Sequence, residues 1–271
     1  MKTGVKGENR FENDASRYAA YLDTPEGRLR TDLTLANLQD VWSALGERNV
    51  RVLDIGCGTG AAGIHLARLG FDVTILDSSP PMLDLARRAI IDAGVSDKIL
   101  VKHGDAAELE DAIGTERFDV VLCHNVLEYV ADPAAILHAA ASVLRDASAI
   151  LSVLVRNQAG EVLKAALQAG DLAAAENALA AEWGRESLYD GDVRLFTPEA
   201  LEAMLQAASL AVIGRKGVRV IADYLPERIS RSAEYDRIFA LERKLSNRPE
   251  FFSVARYMQF LARPGASTRG G

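Results

Sequence analysis

Short apolar runs alternate with amphipathic segments along most of the chain. Five runs rich in apolar and β-branched residues predict buried strands at 50–55, 71–76, 98–102, 118–123 and 149–155. Between them, apolar residues at helical spacing predict helices at 61–69, 80–93 and about 133–144. Strands and helices that alternate at this interval form βαβ units. The pattern therefore predicts an α/β fold with a doubly wound, mostly parallel sheet.

The remaining segments complete a single domain over residues 1–271. Two segments depart from the alternation: an N-terminal helical segment at 11–44 and an Ala-rich helical insertion at 158–196. Both are candidate lids over the strand ends, the insertion over a substrate, although immobile packing helices would have the same pattern. After the insertion the pattern predicts a helix at 198–208, a strand at 211–221 bulged at Gly214 or Gly217, a helix at 227–246 and a strand at 251–262. These strands make seven in total, and the tail at 263–271 is expected to be flexible.

Acidic and small residues follow several of the predicted strands. They are Asp54–Gly58, Asp77, Asp105 and Cys123–Asn125. In an open α/β sheet, ligands bind outside the carboxyl ends of the strands, where the strand order reverses. These residues are therefore the first candidates for a binding site.

The loop after the first strand contains two overlapping glycine motifs. Gly58–Gly63 matches G-x-G-x-x-G, which is typical of a site for a dinucleotide pyrophosphate. Asp54–Gly60 matches D-x-G-x-G-x-G, which indicates a ligand without a phosphate. Asp77 lies 17 residues after Gly60 and suits ribose hydroxyls in either case. The position of Asp77 therefore does not discriminate between the two ligands.

Three other features favour the second motif. Asp54 would repel a pyrophosphate but suits an ammonium group, and Asp105 can accept a hydrogen bond from an adenine amino group. In addition, no downstream segment resembles the second α/β domain that many hydride-transfer enzymes carry. S-adenosylmethionine (SAM) combines an amino acid end, a ribose and an adenine, and it fits these acidic positions. The glycines then serve a tight turn and a close approach of the backbone.

Composition bears on the compartment and on metals. Two cysteines, Cys57 and Cys123, are too few for a disulfide framework, so a reduced, cytoplasmic setting is expected. The polar N-terminus is not a signal peptide, and no apolar run approaches the ~20 residues of a membrane span. His65, His103 and His138 form no metal-ligand set with the cysteines, so no metal is expected.

Charge is unevenly distributed along the chain. The formal net charge is −7, which argues against binding to nucleic acid. Residues 211–271 nevertheless hold 12 Lys/Arg and 6 Asp/Glu, a balance of +6, whereas residues 1–210 hold 19 and 32, a balance of −13. A basic C-terminal region would suit an anionic partner. The solvated faces of a helix and a hairpin would have the same composition.

Four motifs occur in a characteristic order. They are Asp54-Ile55-Gly56-Cys57-Gly58-Thr59-Gly60, Asp77-Ser78-Ser79-Pro80-Pro81-Met82, Gly104-Asp105-Ala106 and Phe118-Asp119-Val120-Val121 leading to His124. Together they resemble the class I, Rossmann-like SAM-dependent methyltransferases. The resemblance implies that Asp77 holds the ribose hydroxyls beside Ser78, that Met82 packs on the adenine, and that Asp105 and Ala106 flank its edge.

Four further segments cover both ends and the middle of the chain: 10–30, 118–137, 156–160 and 217–225. They resemble the CmoM family, which methylates the carboxyl group of 5-carboxymethoxyuridine at the wobble position of tRNA. The resemblance implies cofactor contacts at Arg30, Gly56, Cys57, Asp77, Ala106, Ala107 and His124, with Arg30 on the methionine carboxylate. It also suggests substrate contacts at Asn157, Arg219 and Tyr224. Residues 161–196 match the family poorly.

The chemistry of the methyl acceptor decides which side chains are needed. A carboxylate is ionised at neutral pH and needs no general base, so no catalytic side chain is assigned. A phenol or an amine would need a base, for which His124 is the candidate. Cys57 has no base beside it to make it a nucleophile. Two alternatives to a tRNA enzyme remain: a SAM-dependent methyltransferase of a small metabolite and a non-catalytic, SAM-binding regulatory protein.

Overall fold

The central sheet has seven strands, and a separate hairpin adds two more. The computed structural model describes residues 14–45, 49–186, 188 and 191–265. In chain order the strands are β1 (Arg51–Ile55), β2 (Asp72–Asp77), β3 (Ile99–His103), β4 (Val120–His124), β5 (Ile150–Arg156), β6 (Trp183–Glu186), β7 (Gly191–Arg194), β8 (Leu210–Val218) and β9 (Tyr257–Pro264).

The strand order of the sheet is β3–β2–β1–β4–β5–β9–β8. The first five strands are parallel, and β9 pairs antiparallel with both β5 and β8. The prediction of a doubly wound, mostly parallel sheet of seven strands is confirmed. The strand order reverses between β1 and β4, so the carboxyl ends of these two strands flank the expected ligand crevice.

Helices cover both faces of the sheet. They are α1 (Ala15–Leu22), α2 (Pro25–Ala36), α3 (Gln39–Leu45), α4 (Ala61–Arg68), α5 (Pro80–Asp92), α6 (Leu109–Ile113), α7 (Pro133–Ser142), α8 (Gln158–Leu163), α9 (Leu172–Ala178), α10 (Pro198–Ala207), α11 (Tyr235–Ser246) and α12 (Pro249–Phe252). At the starts of α2, α5 and α7, a capping side-chain oxygen accepts a hydrogen bond from a backbone N–H of the first turn. Thr24, Ser79 and Asp132 are these caps. A proline follows each of them, and its fixed φ suits the first helical position.

Alternate residues of the buried strands supply two apolar layers. On β1, Leu53 and Ile55 belong to the layer that includes Ile136 of α7. Val52 belongs to the opposite layer, with Leu66 of α4. Because successive side chains of a strand point to opposite faces, a continuous apolar run is needed where both faces are covered. This requirement explains why Val52, Leu53 and Ile55 of β1 are all apolar although they face opposite sides of the sheet.

The insertion after β5 is only partly helical. It begins with α8, continues through a π-helical turn at Lys164–Gln168 into α9, and ends in the β6–β7 hairpin. The expectation of a wholly helical segment at 158–196 is therefore corrected. The hairpin pairs Trp183 with Arg194, whose guanidinium carbon lies 4.7 Å from the Trp183 ring centroid.

The C-terminal elements differ from the expectation in their bounds. The final strand includes Arg263 and Pro264, and the Gly265 N–H donates to the Ser209 carbonyl, so these residues belong to the folded domain and not to a tail. Residues 266–271 of the predicted tail and 11–13 of the predicted N-terminal segment lie outside the described residues. The predicted bulge is confirmed near Gly214, where the pairing of β8 with β9 shifts register.

Candidate functional site

A cavity of about 900 Å³ opens at the carboxyl ends of the parallel strands. Ten of the twelve residues expected to bind the cofactor line it: Arg30, Gly56, Gly58, Asp77, Ser78, Met82, Asp105, Ala106, Ala107 and His124. The N-terminal helices contribute Tyr18 and Tyr21, and the insertion contributes Lys164 and Glu186. Both segments expected to be lids therefore form walls of the cavity.

The glycine loop forms one side of the cavity with its backbone. Gly56 and Gly58 have φ values of +65° and +55°, a left-handed conformation that disfavours other residues. A Cβ on Gly56 would lie 2.5 Å from Cγ2 of Val126, and one on Gly58 would lie 3.1 Å from Cε1 of Tyr18. The glycines therefore allow the loop to pack closely between β4 and the N-terminal helix α1.

Asp77, at the end of β2, holds this loop. Its Oδ2 accepts a hydrogen bond from the Gly58 N–H at 2.7 Å, and its Oδ1 accepts one from the Ser79 N–H at 2.9 Å. Burial raises the pKa of the carboxyl group, while these backbone donors oppose the rise. A carboxylate oxygen accepts more than one hydrogen bond. Asp77 can therefore hold the loop and accept from hydroxyl groups in the cavity.

Asp54 and Cys57 lie behind the cavity wall. Asp54 is 3% exposed, and its Oδ2 has no hydrogen-bond donor among the described residues. Burial and the nearby Asp77 raise the pKa of Asp54 to about 7. Cys57 packs against the apolar layer that includes Val52 and Leu66, and burial raises the pKa of its thiol well above its usual value. Neither residue is among those that line the cavity, and the expectation that they contact a cofactor stays a prediction.

Small and apolar groups follow Asp77 around the wall. Met82 is buried at 2% exposure in the first turn of α5. Beyond β3, Asp105 caps a short 3₁₀ turn, and its Oδ1 accepts from the Ala107 N–H at 2.8 Å. Methyl and thioether groups make this wall apolar, and the Asp105 carboxylate lies at its edge. This arrangement suits a planar ring that carries an amino group.

Arg30 brings a buried positive charge to the cavity from α2. Its Nη2 donates to the Tyr18 hydroxyl at 2.9 Å, and its guanidinium carbon lies 5.2 Å from the Tyr21 ring centroid. Among the described residues, no carboxylate lies within ion-pair distance of it. A buried guanidinium without a counter-ion suits an anionic group of a ligand.

His124, at the end of β4, lies between the two halves of the cavity. Its Nε2 is 2.8 Å from Oγ of Ser152 on β5. Burial and the nearby Arg30 lower the pKa of the imidazole to about 3. The ring is therefore neutral at physiological pH. A base with so low a pKa is poorly matched to catalysis at neutral pH, which counts against the predicted role as a general base.

Four arginines surround Tyr257, which lines the cavity at the start of β9. The guanidinium carbons of Arg30, Arg156, Arg219 and Arg256 lie 5.8 to 5.9 Å from the Tyr257 ring centroid. We call these five residues the arginine cluster. Burial alone would raise the pKa of Tyr257, but the four positive charges outweigh it and lower the pKa to about 7.

Carboxylates neutralise only part of this cluster. Ion pairs join Arg156 to Glu186, Arg219 to Asp223, and Arg256 to Glu161, the last through two contacts of 2.6 and 3.0 Å. Four guanidinium groups thus face three carboxylates, and Lys164 adds a further cation to the wall. The cavity is therefore positively charged around Tyr257.

The three residues expected to contact a substrate differ in their positions. Arg219 lines the cavity within the arginine cluster. Tyr224 does not line it, and its hydroxyl donates to the Gly160 carbonyl at 3.3 Å. Asn157 is 0% exposed, and its Nδ2 donates to the carbonyls of Ser253 and Ala255. The expectation is corrected for Asn157, because its side chain is buried in structural hydrogen bonds.

The basic C-terminal region does not form one exposed surface. Arg219 and Arg256 are buried at the cavity, while Arg231, Arg237 and Arg248 form ion pairs with nearby glutamates. Within the described parts of the chain, no three His, Cys, Asp or Glu side chains group as metal ligands would. None of the described helices has the length and apolar character needed to cross a membrane.

The sheet order, the glycine loop and the acidic strand ends define a class I methyltransferase. A family model described as a methyltransferase domain matches residues 18–214, and the chain belongs to that family of SAM-dependent methyltransferases. The chain is 29% identical over 264 residues to the tRNA 5-carboxymethoxyuridine methyltransferase of Escherichia coli strain K12, a match that covers 94% of this chain and 96% of the relative.

Two further comparisons widen the range of relatives. The ubiquinone biosynthesis O-methyltransferase of Xanthomonas axonopodis pv. citri is 33% identical over 168 residues, which cover 59% of this chain and 69% of the relative. The solved structure of magnesium protoporphyrin IX methyltransferase from Synechocystis PCC 6803 with bound SAH aligns with a TM-score of 0.65 at 13% identity. That alignment covers 95% of this chain and 98% of the other, and it shows a shared fold.

Proposed function

We propose that the protein methylates the carboxylate of a 5-carboxymethoxyuridine at the wobble position of tRNA, with SAM as the methyl donor and S-adenosylhomocysteine as the product. The observation that carries the proposal is the set of cations Arg156, Arg219, Arg256 and Lys164, which outnumber by one the three carboxylates paired with these arginines. The similarity over 94% of the chain to a methyltransferase of this nucleoside supports the same substrate.

The residues present fit SAM in the same cavity. Asp77 would accept hydrogen bonds from the ribose hydroxyls. Met82, Ala106 and Ala107 would pack against the adenine, and Asp105 would accept a hydrogen bond from the adenine amino group. Arg30, which has no carboxylate partner among the described residues, would pair with the methionine carboxylate. When bound, SAM supplies a methyl group already activated as part of a sulfonium.

Positioning is the main task left to the protein. A carboxylate is a nucleophile without loss of a proton, so the reaction needs no general base. Arg219 and Arg156 would orient the acceptor carboxylate, and the walls from α1 and the insertion would exclude water. This division of labour agrees with a neutral His124, whose low pKa makes it a weak base.

Nucleoside mass spectrometry tests the proposal directly. Purified protein and SAM are incubated with tRNA from cells that lack this gene. We expect one added methyl group on the wobble uridine, removable by mild alkali because the product is an ester. A methyl group that resists alkali, or no transfer to tRNA, would overturn the proposal. Filter binding should also show tRNA affinity that falls as salt rises.

A small phenol is a second candidate acceptor. The identity of 33% to a ubiquinone biosynthesis O-methyltransferase favours it. A phenol needs a base, and Tyr257, whose pKa of about 7 leaves much of it ionised at neutral pH, could serve as one. Turnover of a dihydroxylated benzoate without tRNA, lost in Tyr257→Phe, would favour this candidate over the tRNA enzyme.

A further inference from the structure

A line of buried polar side chains runs from His124 across the sheet to α11. His124 Nε2 lies 2.8 Å from Ser152 Oγ, which lies 3.0 Å from Gln259 Nε2 on β9. Gln259 Oε1 lies 2.9 Å from Asn37 Nδ2, and Asn37 Oδ1 lies 3.0 Å from Ser246 Oγ. The four residues that follow His124 in this line are each at most 5% exposed. We call this line the serine–glutamine relay.

One backbone carbonyl sets the direction of every hydrogen bond in the relay. Gln259 Nε2 also lies 3.1 Å from the Thr34 carbonyl oxygen, which can only accept. The amide nitrogen of Gln259 must therefore face Thr34 and Ser152, and its oxygen must face Asn37. Asn37 then donates through Nδ2, so its oxygen accepts from the Ser246 hydroxyl. No other orientation of the two amides avoids two acceptors facing each other.

Among the described residues, the Ser152 hydroxyl has one acceptor available for its proton. Its oxygen accepts the N–H of Gln259, and its remaining hydrogen-bond partner is Nε2 of His124. A hydroxyl that is 0% exposed rarely leaves its proton unpaired. Ser152 therefore donates to Nε2, which must be the unprotonated nitrogen of a neutral ring.

We infer that the serine–glutamine relay holds His124 in the tautomer with its proton on Nδ1, so that His124 acts as a hydrogen-bond donor to an oxygen of the bound methyl acceptor. Ser152 and Gln259 are then positioning residues that act through His124. Nδ1 has no hydrogen-bond partner among the described residues, and the ring lines the cavity between the glycine loop and the arginine cluster.

Two observations support a fixed, neutral ring. Burial and Arg30 lower the pKa of His124 to about 3, so a second ring proton is absent at neutral pH. The helix α2 connects the relay to the site from the other side: Thr34 accepts from Gln259 through its carbonyl and donates to the Arg30 carbonyl through Oγ1 at 2.7 Å. The same helix turn therefore orients both Arg30 and the relay.

Nitrogen NMR measures the tautomer without any substrate. The chain has four histidines, so ¹⁵N-histidine labelling gives few signals, and His124→Asn identifies the one of interest. We expect a protonated Nδ1 and an unprotonated Nε2 for His124 over the neutral pH range. His103 gives an internal contrast, because its Nε2 faces the Ser78 carbonyl at 3.1 Å and must be protonated. A protonated Nε2 on His124 would overturn the inference.

Ser152→Ala and Ser246→Ala form a matched pair. Each removes one hydroxyl from a site that is 0% exposed, at opposite ends of the relay. We expect similar losses of thermal stability, but only Ser152→Ala should move the proton of His124 to Nε2, because which nitrogen carries it depends on the bond made by the other. Equal tautomer shifts in both variants would show a general structural effect and contradict the relay.

Of these tests, only the measurement of methyl transfer depends on the proposed function. The amide nitrogen of asparagine can replace Nδ1, whereas that of glutamine reaches the position of Nε2. We therefore expect His124→Asn to retain acceptor KM, and His124→Gln to raise it about tenfold, the worth of one hydrogen bond to a charged group. The reverse order would overturn the donor role even if the NMR result held, and failure to methylate tRNA would leave the tautomer measurement intact.

Discussion

The carboxylate of Asp77 accepts a hydrogen bond from the backbone N–H of Gly58 at 2.7 Å. This bond joins the end of β2 to the glycine loop after β1, which are neighbouring parallel strands. Asp77 also lines the cavity, so one residue both shapes the loop and borders the ligand site. A change at Asp77 therefore tests the cofactor half of the site without touching the arginine cluster.

Asp77→Asn should weaken SAM binding by roughly ten- to a hundredfold, since a hydrogen bond to a charged group is worth about 1.5–3 kcal/mol. Isothermal titration calorimetry with SAM measures the effect. Asp72→Asn, at the start of the same strand in an exposed pair with Lys98, is the control and should bind SAM normally. Equal affinity in wild type and Asp77→Asn would remove Asp77 from the site.

Gly58→Ala should lose stability and SAM affinity together. The left-handed backbone costs about 1–2 kcal/mol with a Cβ, and that atom would press on the ring of Tyr18. Gly94→Ala has the matching strain, with a φ of +68° and nothing within 4 Å of the added Cβ. Both variants should unfold at lower urea, but only Gly58→Ala should bind SAM more weakly. A Gly94→Ala variant with the same binding defect would mean that strain alone is responsible.

Much of the fold was predictable because a parallel sheet buries both faces of its strands. Mostly apolar runs such as 50–55 and 71–76 are then required, and the observed strands β1 and β2 begin and end within a residue of them. Asp77 and Asp105 were predictable for a related reason: a topological rule places strand ends at the ligand crevice. Asp54 follows the same pattern, yet burial beneath the loop keeps it from the cavity.

The arginine cluster was not predictable from local patterns. Tyr257 begins the strand β9, which pairs between β5 and β8, and Arg256 directly precedes it. Both residues are far in sequence from the other arginines of the cluster, and no motif marks them. The hairpin at 183–194 was missed because its strands are four residues each and follow an Ala-rich helix. Asn157 belongs to a segment that resembles a known family. The resemblance alone does not tell whether its side chain contacts a substrate or, as observed, caps the buried start of α8.

Ultraviolet titration should detect the ionisation of Tyr257 near pH 7. Of the described tyrosines with a shifted pKa, this one alone has it lowered, whereas that of Tyr224 is raised to about 12. The phenolate signal should vanish in Tyr257→Phe. Because the folded pKa lies below the ordinary value of 10, this group adds stability as pH rises from about 7 to 10 and loses it as pH falls through 7. A phenolate signal that persists in Tyr257→Phe would assign it elsewhere.

Asn157→Ala should destabilise the protein by about 2–4 kcal/mol without a specific effect on the acceptor KM. The buried carbonyl of Ala255 and the partly buried carbonyl of Ser253 lose a donor, and α8 loses its N-cap. Asp171→Ala removes only the cap of α9, at an exposed position, and should cost about 1 kcal/mol. Urea unfolding gives both values. A raised KM in folded Asn157→Ala would restore the substrate role that its burial argues against.

Arg219→Gln should raise the KM for tRNA by more than tenfold while the affinity for SAM stays unchanged. The variant loses the guanidinium group that binds Asp223 most closely and leaves that carboxylate only a 3.9 Å contact with Arg256. The negative charge of Asp223 then repels an anionic acceptor. The double variant Arg219→Gln/Asp223→Asn removes that repulsion and should recover part of the loss, which separates charge from shape. Arg215→Gln, at an exposed position of β8 four residues earlier and paired with Glu202, is the control and should leave KM unchanged. If SAM affinity falls in parallel with tRNA affinity, Arg219 supports the whole cavity and does not select the acceptor.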